Sequence, residues 1–180
     1  MGWNMQPTSM VIMEDCIVPK RNLLGKRGEG FKIALKGLDG GRINIGSCSL
    51  GGAALAFDQT VKYVQDRKQF GKSISQFQNT QFKLSELASD LTASRLLIRK
   101  AAISIDENNE QKTLFSAMAK YYSTEKCFDL VNQCLQLHGG YGYLKDYAVE
   151  RVFRDLRVHM ILEGTNEIMK MIISRNIIEH

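Results

Sequence analysis

Four short stretches hold the residues best suited to chemistry. Glu163 stands in Met160-Ile161-Leu162-Glu163-Gly164-Thr165-Asn166-Glu167, after three apolar residues and before a glycine at a helix entry. A carboxylate partly withdrawn from water in such a setting has its pKa raised toward that of a useful general base, although an exposed or helix-capping glutamate explains the same residues. Arg67-Lys68-Gln69-Phe70-Gly71-Lys72 closes a helix with three cations. They complement the negative helix end, and the arginine fork is equally suited to a phosphate or pyrophosphate. His138-Gly139-Gly140-Tyr141-Gly142 ends a long apolar stretch with three glycines where one would stop a helix; the surplus lets another group approach the backbone closely. Arg42 and Arg175 sit among apolar neighbours, where a surface cation can lay its stem over apolar side chains.

Other chemistries fail on spacing. Gly25 to Gly30 has the outer spacing of a phosphate loop, but Phe31-Lys32 follows where Lys then Ser or Thr is required. Gly28-Glu29-Gly30 is followed by Ile33 instead of the third glycine of a dinucleotide fingerprint. Cys16, Cys48, Cys127 and Cys134 form no CxxC, and His138, His159 and His180 have no ligand spacing with them. No metal site is expected, and the plain reading of four scattered cysteines is a reducing environment.

The elements that must position these residues are helices. Both prolines lie before position 20, so no ring interrupts a helix over the rest of the 180 residues. Phe31, Leu35 and Leu38 form a short stripe before Gly40-Gly41, and Leu50, Ala54, Phe57, Val61 and Val64 recur at steps of four and three. Phe77, Leu84, Leu91, Ile98 and Ile105 fall every seventh residue, and Leu114, Met118, Tyr121, Phe128, Leu135 and His138 continue the pattern. A terminal helix over 167–178 offers Ile168, Met171, Ile172 and Ile177 on one side, with Thr165 or Asn166 as its cap. Short breaks at 71–76, 106–112 and 139–146 make neighbouring helices antiparallel. The fold class predicted is all-α, an up-and-down four-helix bundle over residues 31–180. Residues 1–30, with Met10-Val11-Ile12-Met13 and Ile17-Val18, predict one or two strands and a linker, the remnant of a β domain.

Composition narrows the functions. Hydrophobic content of 44% and charged content of 24% are those of a folded chain, so disorder and low-complexity classes fall away. The net charge of +5 is spread along the chain, which favours anionic small molecules over nucleic acid. No apolar run nears the roughly 20 residues of a membrane span. Met1-Gly2-Trp3-Asn4 begins neither a secretory signal nor a transit segment.

Taken together, Gly41-Arg42, Arg67-Lys68-Gln69-Phe70-Gly71, Gln136-Leu137-His138-Gly139-Gly140-Tyr141-Gly142 and Glu163-Gly164-Thr165-Asn166-Glu167 resemble, in order and spacing, the carboxyl-terminal part of the acyl-CoA dehydrogenases. The resemblance implies that Glu163 removes the α proton of an acyl-CoA thioester while the β hydrogen leaves as hydride to FAD. In some relatives the base instead precedes the helix arginine, a place held here by Gly41. The family meets the developing thioester oxyanion with a flavin ribityl hydroxyl and the backbone N–H of the catalytic glutamate. By the same resemblance Arg67 holds the FAD pyrophosphate, with Phe77 and Gln78 near the adenine. Gln136, Leu137, His138, Gly139 and Gly140 receive the FAD of a neighbouring subunit, and Thr165, Asn166 and Glu167 also hold FAD. Asp39, Gly40, Gly41, Arg42 and Arg175 face substrate.

The resemblance further implies electron transfer flavoprotein as partner, a homotetramer built as a dimer of dimers, and residence in the mitochondrial matrix. The family's amino-terminal helical domain and most of its middle β domain have no counterpart among these residues, so weak flavin binding and little activity are expected of the 180 residues alone. Two other readings remain open. A helical assembly module would use the stripe from Phe77 to Ile105 without chemistry, and an acyl-CoA oxidase would share the base but produce peroxide.

Overall fold

Freed of proline after Pro19, the chain is helical almost throughout. The computed structural model describes residues 1–178 and contains five α-helices: α1 (Gly30–Asp66), α2 (Gln78–Asp106), α3 (Lys112–His138), α4 (Ala148–Leu156) and α5 (Asn166–Ile178). Glu179 and His180, the end of the expected 31–180 domain, lie outside the described residues.

α1 runs through Gly40-Gly41 and Gly51-Gly52 without interruption. Each interior glycine costs a helix on the order of 1 kcal/mol relative to alanine, and close packing offsets that cost at Gly41, Gly46 and Gly52. A Cβ at Gly52 would come 2.7 Å from Leu156 Cδ1 of α4, while Gly46 packs between Ile98 of α2 and Ala119 of α3. Further along, Tyr63 of α1 stacks on His138 of α3, and Lys126 of α3 bonds Asp90 of α2. The pairings increase together in α1 and α3 and oppositely in α2, so the three long helices run up, down and up, as short connections require. α5 sets its amino-terminal end against the middle of α3, completing the helical bundle that the periodicity predicts.

α3 is the central rod, and its buried face differs from the expected one. Ser116, Ala117, Ala119, Lys120, Ser123, Thr124, Cys127, Leu130, Val131 and Cys134 are buried, whereas Leu114, Met118, Tyr121, Phe128 and Leu135 are only half-buried. A helix enclosed by neighbours needs small side chains where axes approach, which displaces the bulky residues to its flanks. The main core gathers Ala53, Ala56, Leu87, Leu91, Leu130, Val131, Val149, Val152 and Leu156 from α1 to α4. α4, which the apolar stripes do not single out, enters through Val149, Val152 and Leu156, at helical spacing. α5 buries Asn166 and Met169, and leaves the expected Ile168, Met171 and Ile177 exposed.

No strand forms in residues 1–29, where the sequence predicts one or two; a single 3-10 turn occupies Lys20–Asn22, and Met10 to Val18 are exposed. A strand is stable only when a neighbouring strand takes up its N–H and C=O groups, and no described segment does so. The two strands that do form are elsewhere. β1 (Lys68–Gln69) and β2 (Lys72–Ser73) pair antiparallel, Lys68 with Ser73 and Gln69 with Lys72. Phe70 (φ 52°) and Gly71 (φ 81°) close this hairpin with the two left-handed residues of a tight turn.

Candidate active site

Glu163 lies in the turn between a 3-10 segment (Arg157–Met160) and α5. Its φ is +57° and that of Gly164 is +88°. A side-chain-bearing residue in the left-handed region carries a cost on the order of 1 kcal/mol, maintained only where surroundings enforce it. Here α3 enforces it. The Lys120 ammonium, fully buried, donates to Met160 O (3.1 Å), Gly164 O (2.8 Å) and Asn166 Oδ1 (2.7 Å). Burial is the main influence on that amine and pulls its pKa down to about 8; Glu167, Glu125 and Glu163 oppose the shift and Arg42 adds to it.

The half-buried Glu163 carboxylate rests against α1 at Gly41, where a Cβ would stand 2.7 Å from Glu163 Cδ and overlap a carboxylate oxygen. The two places where the resemblance puts a base therefore address one point in space. Beside it, Arg42 is buried and bonds Asp39 Oδ1 through Nη1 at 2.7 Å, while Thr113 donates to Asp39 Oδ2 at 2.8 Å. Arg42 is therefore no surface cation. Its Nε is buried with no partner among the described residues. Gly40 is exposed on the same turn. Glu163 and Leu162 open onto a cleft of 500 Å³ whose other walls include Trp3, Ile45, Val158 and Ile161, an apolar stretch flanked by Arg154 and Arg157, with Glu163 its carboxylate.

A second cleft, of 480 Å³, lies where α1 and α3 end together. Arg67, Gln136, Leu137, His138, Gly139 and Gly140 line it, with Tyr63 and Tyr141. Arg67 is held 5.3 Å from the Tyr141 ring centroid. His138 is buried: its Nδ1 lies 2.8 Å from Cys134 O, its ring stacks on Tyr63 at 4.3 Å, and its carbonyl accepts from the Tyr63 hydroxyl. Its side chain is thus held at the cleft wall by contacts with α1 and its own helix. Gly139, at φ 59° and ψ −139°, needs glycine for its backbone conformation. A Cβ at either Gly139 or Gly140 would meet nothing within 4 Å, whereas one at Gly142 would lie 2.5 Å from Leu135 O. The glycines thus divide the work: 139 turns the chain, 140 leaves open space, and 142 packs against the helix end.

The remaining expected residues are spread out. Phe77 stands by the hairpin, its ring 4.3 Å from Lys72 Nζ and 6.3 Å from Phe70, with Gln78 exposed at the start of α2; neither lines the second cleft. Thr165 caps α5 weakly, its hydroxyl 3.5 Å from Ile168 N. The backbone N–H of Glu167, and after it the Thr165 hydroxyl, hold the exposed Glu167 carboxyl below the usual carboxylate range. Asn166 is buried and commits its amide to Lys120, Thr124 and Glu125, so it serves the turn itself. Arg175 is exposed in the last turn of α5 and lines neither cleft.

Sequence reasoning passed over Lys120, Thr113 and the buried pair Ser49–His159, whose Oγ and Nδ1 are 2.8 Å apart. The available signal was position: Lys120 falls on the face shared with Ala117, Thr124 and Cys127, where a lysine is out of place unless paired.

The model of the acyl-CoA dehydrogenase carboxyl-terminal domain matches residues 28–178. The chain is 53% identical over 178 residues to the mitochondrial isobutyryl-CoA dehydrogenase of Bos taurus, covering 99% of this chain and 43% of that one. Against the mitochondrial enzyme of the same name from Dictyostelium discoideum, identity is 51% over 177 residues, 98% of this chain and 42% of the relative. A chain from a structure described as the electron transferring flavoprotein of Acidaminococcus fermentans superposes with a TM-score of 0.91 at 43% identity, covering 94% of this chain and 44% of that one. The chain thus spans less than half the length of these relatives.

Proposed function

We propose, for a chain that belongs to the acyl-CoA dehydrogenase family, that it supplies the proton-abstracting end of an FAD-dependent enzyme that desaturates a short branched acyl-CoA between its α and β carbons. The observation that supports this best is the contact of the Glu163 carboxylate with Gly41 beside the apolar part of the first cleft, made by Trp3, Ile45, Val158, Ile161 and Leu162: a base set at a wall that suits a small acyl group. The substrate favoured is isobutyryl-CoA, a valine-derived thioester. Asp39-Gly40-Gly41-Arg42-Ile43-Asn44-Ile45 and the run from His138 to Val149 look most like isobutyryl-CoA dehydrogenase, and two relatives of that name share half or more of the residues.

The residues present fit FAD. Arg67 beside open backbone at Gly139 and Gly140 suits a pyrophosphate, with Gln136 and Leu137 along the same cleft and Thr165 and Glu167 near the base. When bound, FAD accepts the β hydrogen with its electron pair. Glu163 takes the α proton onto a carboxylate oxygen, so that the C–H electrons form the new double bond. An α proton beside a thioester is far less acidic than a carboxylic acid, so the developing oxyanion must be met by a fixed donor. The Glu163 N–H is suited to that task, since among the described residues it has no backbone acceptor. Arg42 and Asp39 hold the α1 side of the cleft in place through their 2.7 Å ion pair. Trp3, Ile45 and Leu162 keep water from the proton in transit.

Electron transfer flavoprotein as acceptor, a tetramer and the mitochondrial matrix complete the reading, the last following the compartment in both relatives' names. The 180 residues alone bind FAD weakly in this reading, because much of the wall comes from the remainder of the relatives' length. The test compares the chain alone with a chimera in which it replaces the matched segment of the bovine relative. The chimera should bind flavin stoichiometrically and bleach it with isobutyryl-CoA, and Glu163→Gln in the chimera should keep the flavin and lose at least about 10³-fold in reduction rate. Reduction unaffected by Glu163→Gln removes Glu163 as the base, and peroxide formed at the turnover rate would favour an oxidase.

A further inference from the structure

We propose that Lys120 is a positioning residue for catalysis: its ammonium ties both ends of the Glu163 turn to the central helix and thereby fixes the carboxylate at Gly41. The inference rests on the reading of Glu163 as base. An ammonium has three hydrogens, and Lys120 meets three acceptors: Met160 O, three residues before Glu163, Gly164 O, one residue after it, and Asn166 Oδ1 at the start of α5. Two of the three bonds straddle the base. The third locks the helix that follows, and Asn166 is itself bonded to Thr124 and Glu125 of α3.

The arrangement is unusual for a buried cation. Among the described residues no carboxylate lies within hydrogen-bonding distance, so carbonyl and amide oxygens solvate the charge there, with Glu125 on α3, Arg42 on α1, His159 in the 3-10 turn, and Glu163 and Glu167 around the turn acting through space. A lysine kept only for stability would be better replaced by an apolar residue in such a place. What the ammonium provides is geometry: it holds Glu163 at φ +57°, a conformation the turn would otherwise leave. Loss of one proton leaves two hydrogens for three oxygens and frees one end of the turn. Burial brings that ionisation down to about pH 8, within reach of a rate measurement.

The test uses the FAD-loaded holoenzyme that carries this chain. Lys120→Met keeps the stem and removes every donor. Its flavin content and KM for isobutyryl-CoA should stay within about 3-fold, while flavin reduction at saturating substrate should fall about 30- to 100-fold. In the unsubstituted enzyme the reduction rate should also drop above about pH 8 with a single ionisation, and Lys120→Met should lack that limb. A Lys120→Met enzyme that reduces its flavin at the unsubstituted rate, whatever its melting temperature, overturns the proposal. If the variant does not accumulate, the unsubstituted enzyme decides: a fall above pH 8 upholds the proposal and a flat profile from pH 7 to 10 overturns it. Glu163→Gln separates the two readings. Normal reduction there refutes the base itself, whereas lost reduction there beside an indifferent Lys120 refutes only the positioning.

Discussion

The two clefts sit apart along the long helices, one beside the amino-terminal half of α1 and the middle of α3 and the other where α1 and α3 end, and are built in opposite ways. Around Glu163 the fixed parts are hydrogen-bonded polar groups: Lys120 binds the turn, Asp39 binds Arg42 and Thr113, and Asn166 binds α3, with Arg42 Nε left without a partner among the described residues. Around Arg67 the fixed parts are aromatic and backbone, with Tyr63 stacked on His138, Tyr141 against the guanidinium, and glycines leaving open space. The first end is specified from within by hydrogen bonds of particular length. The second is shaped by packing and leaves its cation half-exposed. Polar over-determination suits a group that must hold an atom in place for proton transfer, whereas open backbone suits the reception of a large anion.

Alanine at Gly41 should expose this difference most sharply. The added methyl would displace the Glu163 carboxylate, the mobile end of a side chain, so folding should suffer little while flavin reduction in the holoenzyme falls 100-fold or more. Reduction within 3-fold of the parent would show that the carboxylate need not rest there. Next in size is an acid effect on the same side of the molecule. Burial pulls His159 down to about 4, so the folded chain binds fewer protons than the unfolded one between pH 4 and 6.5. Its contribution is complete above about pH 6.5 and is lost as pH falls to 4, up to about 3 kcal/mol. Denaturant titrations of the parent and of His159→Gln should differ in pH dependence over that window, and parallel curves would remove His159 as the cause. The smallest effect is expected at the other end. Gly142→Ala drives a Cβ against the Leu135 carbonyl, fixed helix backbone that cannot turn aside, and should cost about 2 kcal/mol of stability with little change in reduction rate per bound flavin.

The same contrast explains what could be read from sequence. Helices α1, α2, α3 and α5 announce themselves through apolar period and the absence of proline, and their ends fall near the glycines and the Arg67 cluster. The stripe in α3 points to the wrong face, because periodicity counts bulky apolar residues while the buried face carries small ones, Ser116, Ala119, Ser123 and Cys127 among them. Glu163 is visible from its apolar neighbours and the glycine after it. Lys120 is not, since its role depends on two carbonyls 40 and 44 residues away, and main-chain oxygens leave no mark on residue identity. The amino-terminal strands fail for a related reason: β-branched residues state a preference, but pairing decides it.

α1 joins the two ends. Its 37 residues carry Gly41 in the amino-terminal half and Asp66, the neighbour of Arg67, at the carboxyl-terminal end. At about 1.5 Å and 100° per residue, removing a single residue between them would shorten the span only slightly but swing the guanidinium more than a quarter-turn around the helix axis. Insertions and deletions should therefore be far less tolerated in this segment than substitutions, because the helix acts as a ruler whose phase, as much as its length, keeps the acid-base end and the anion-receiving end in register.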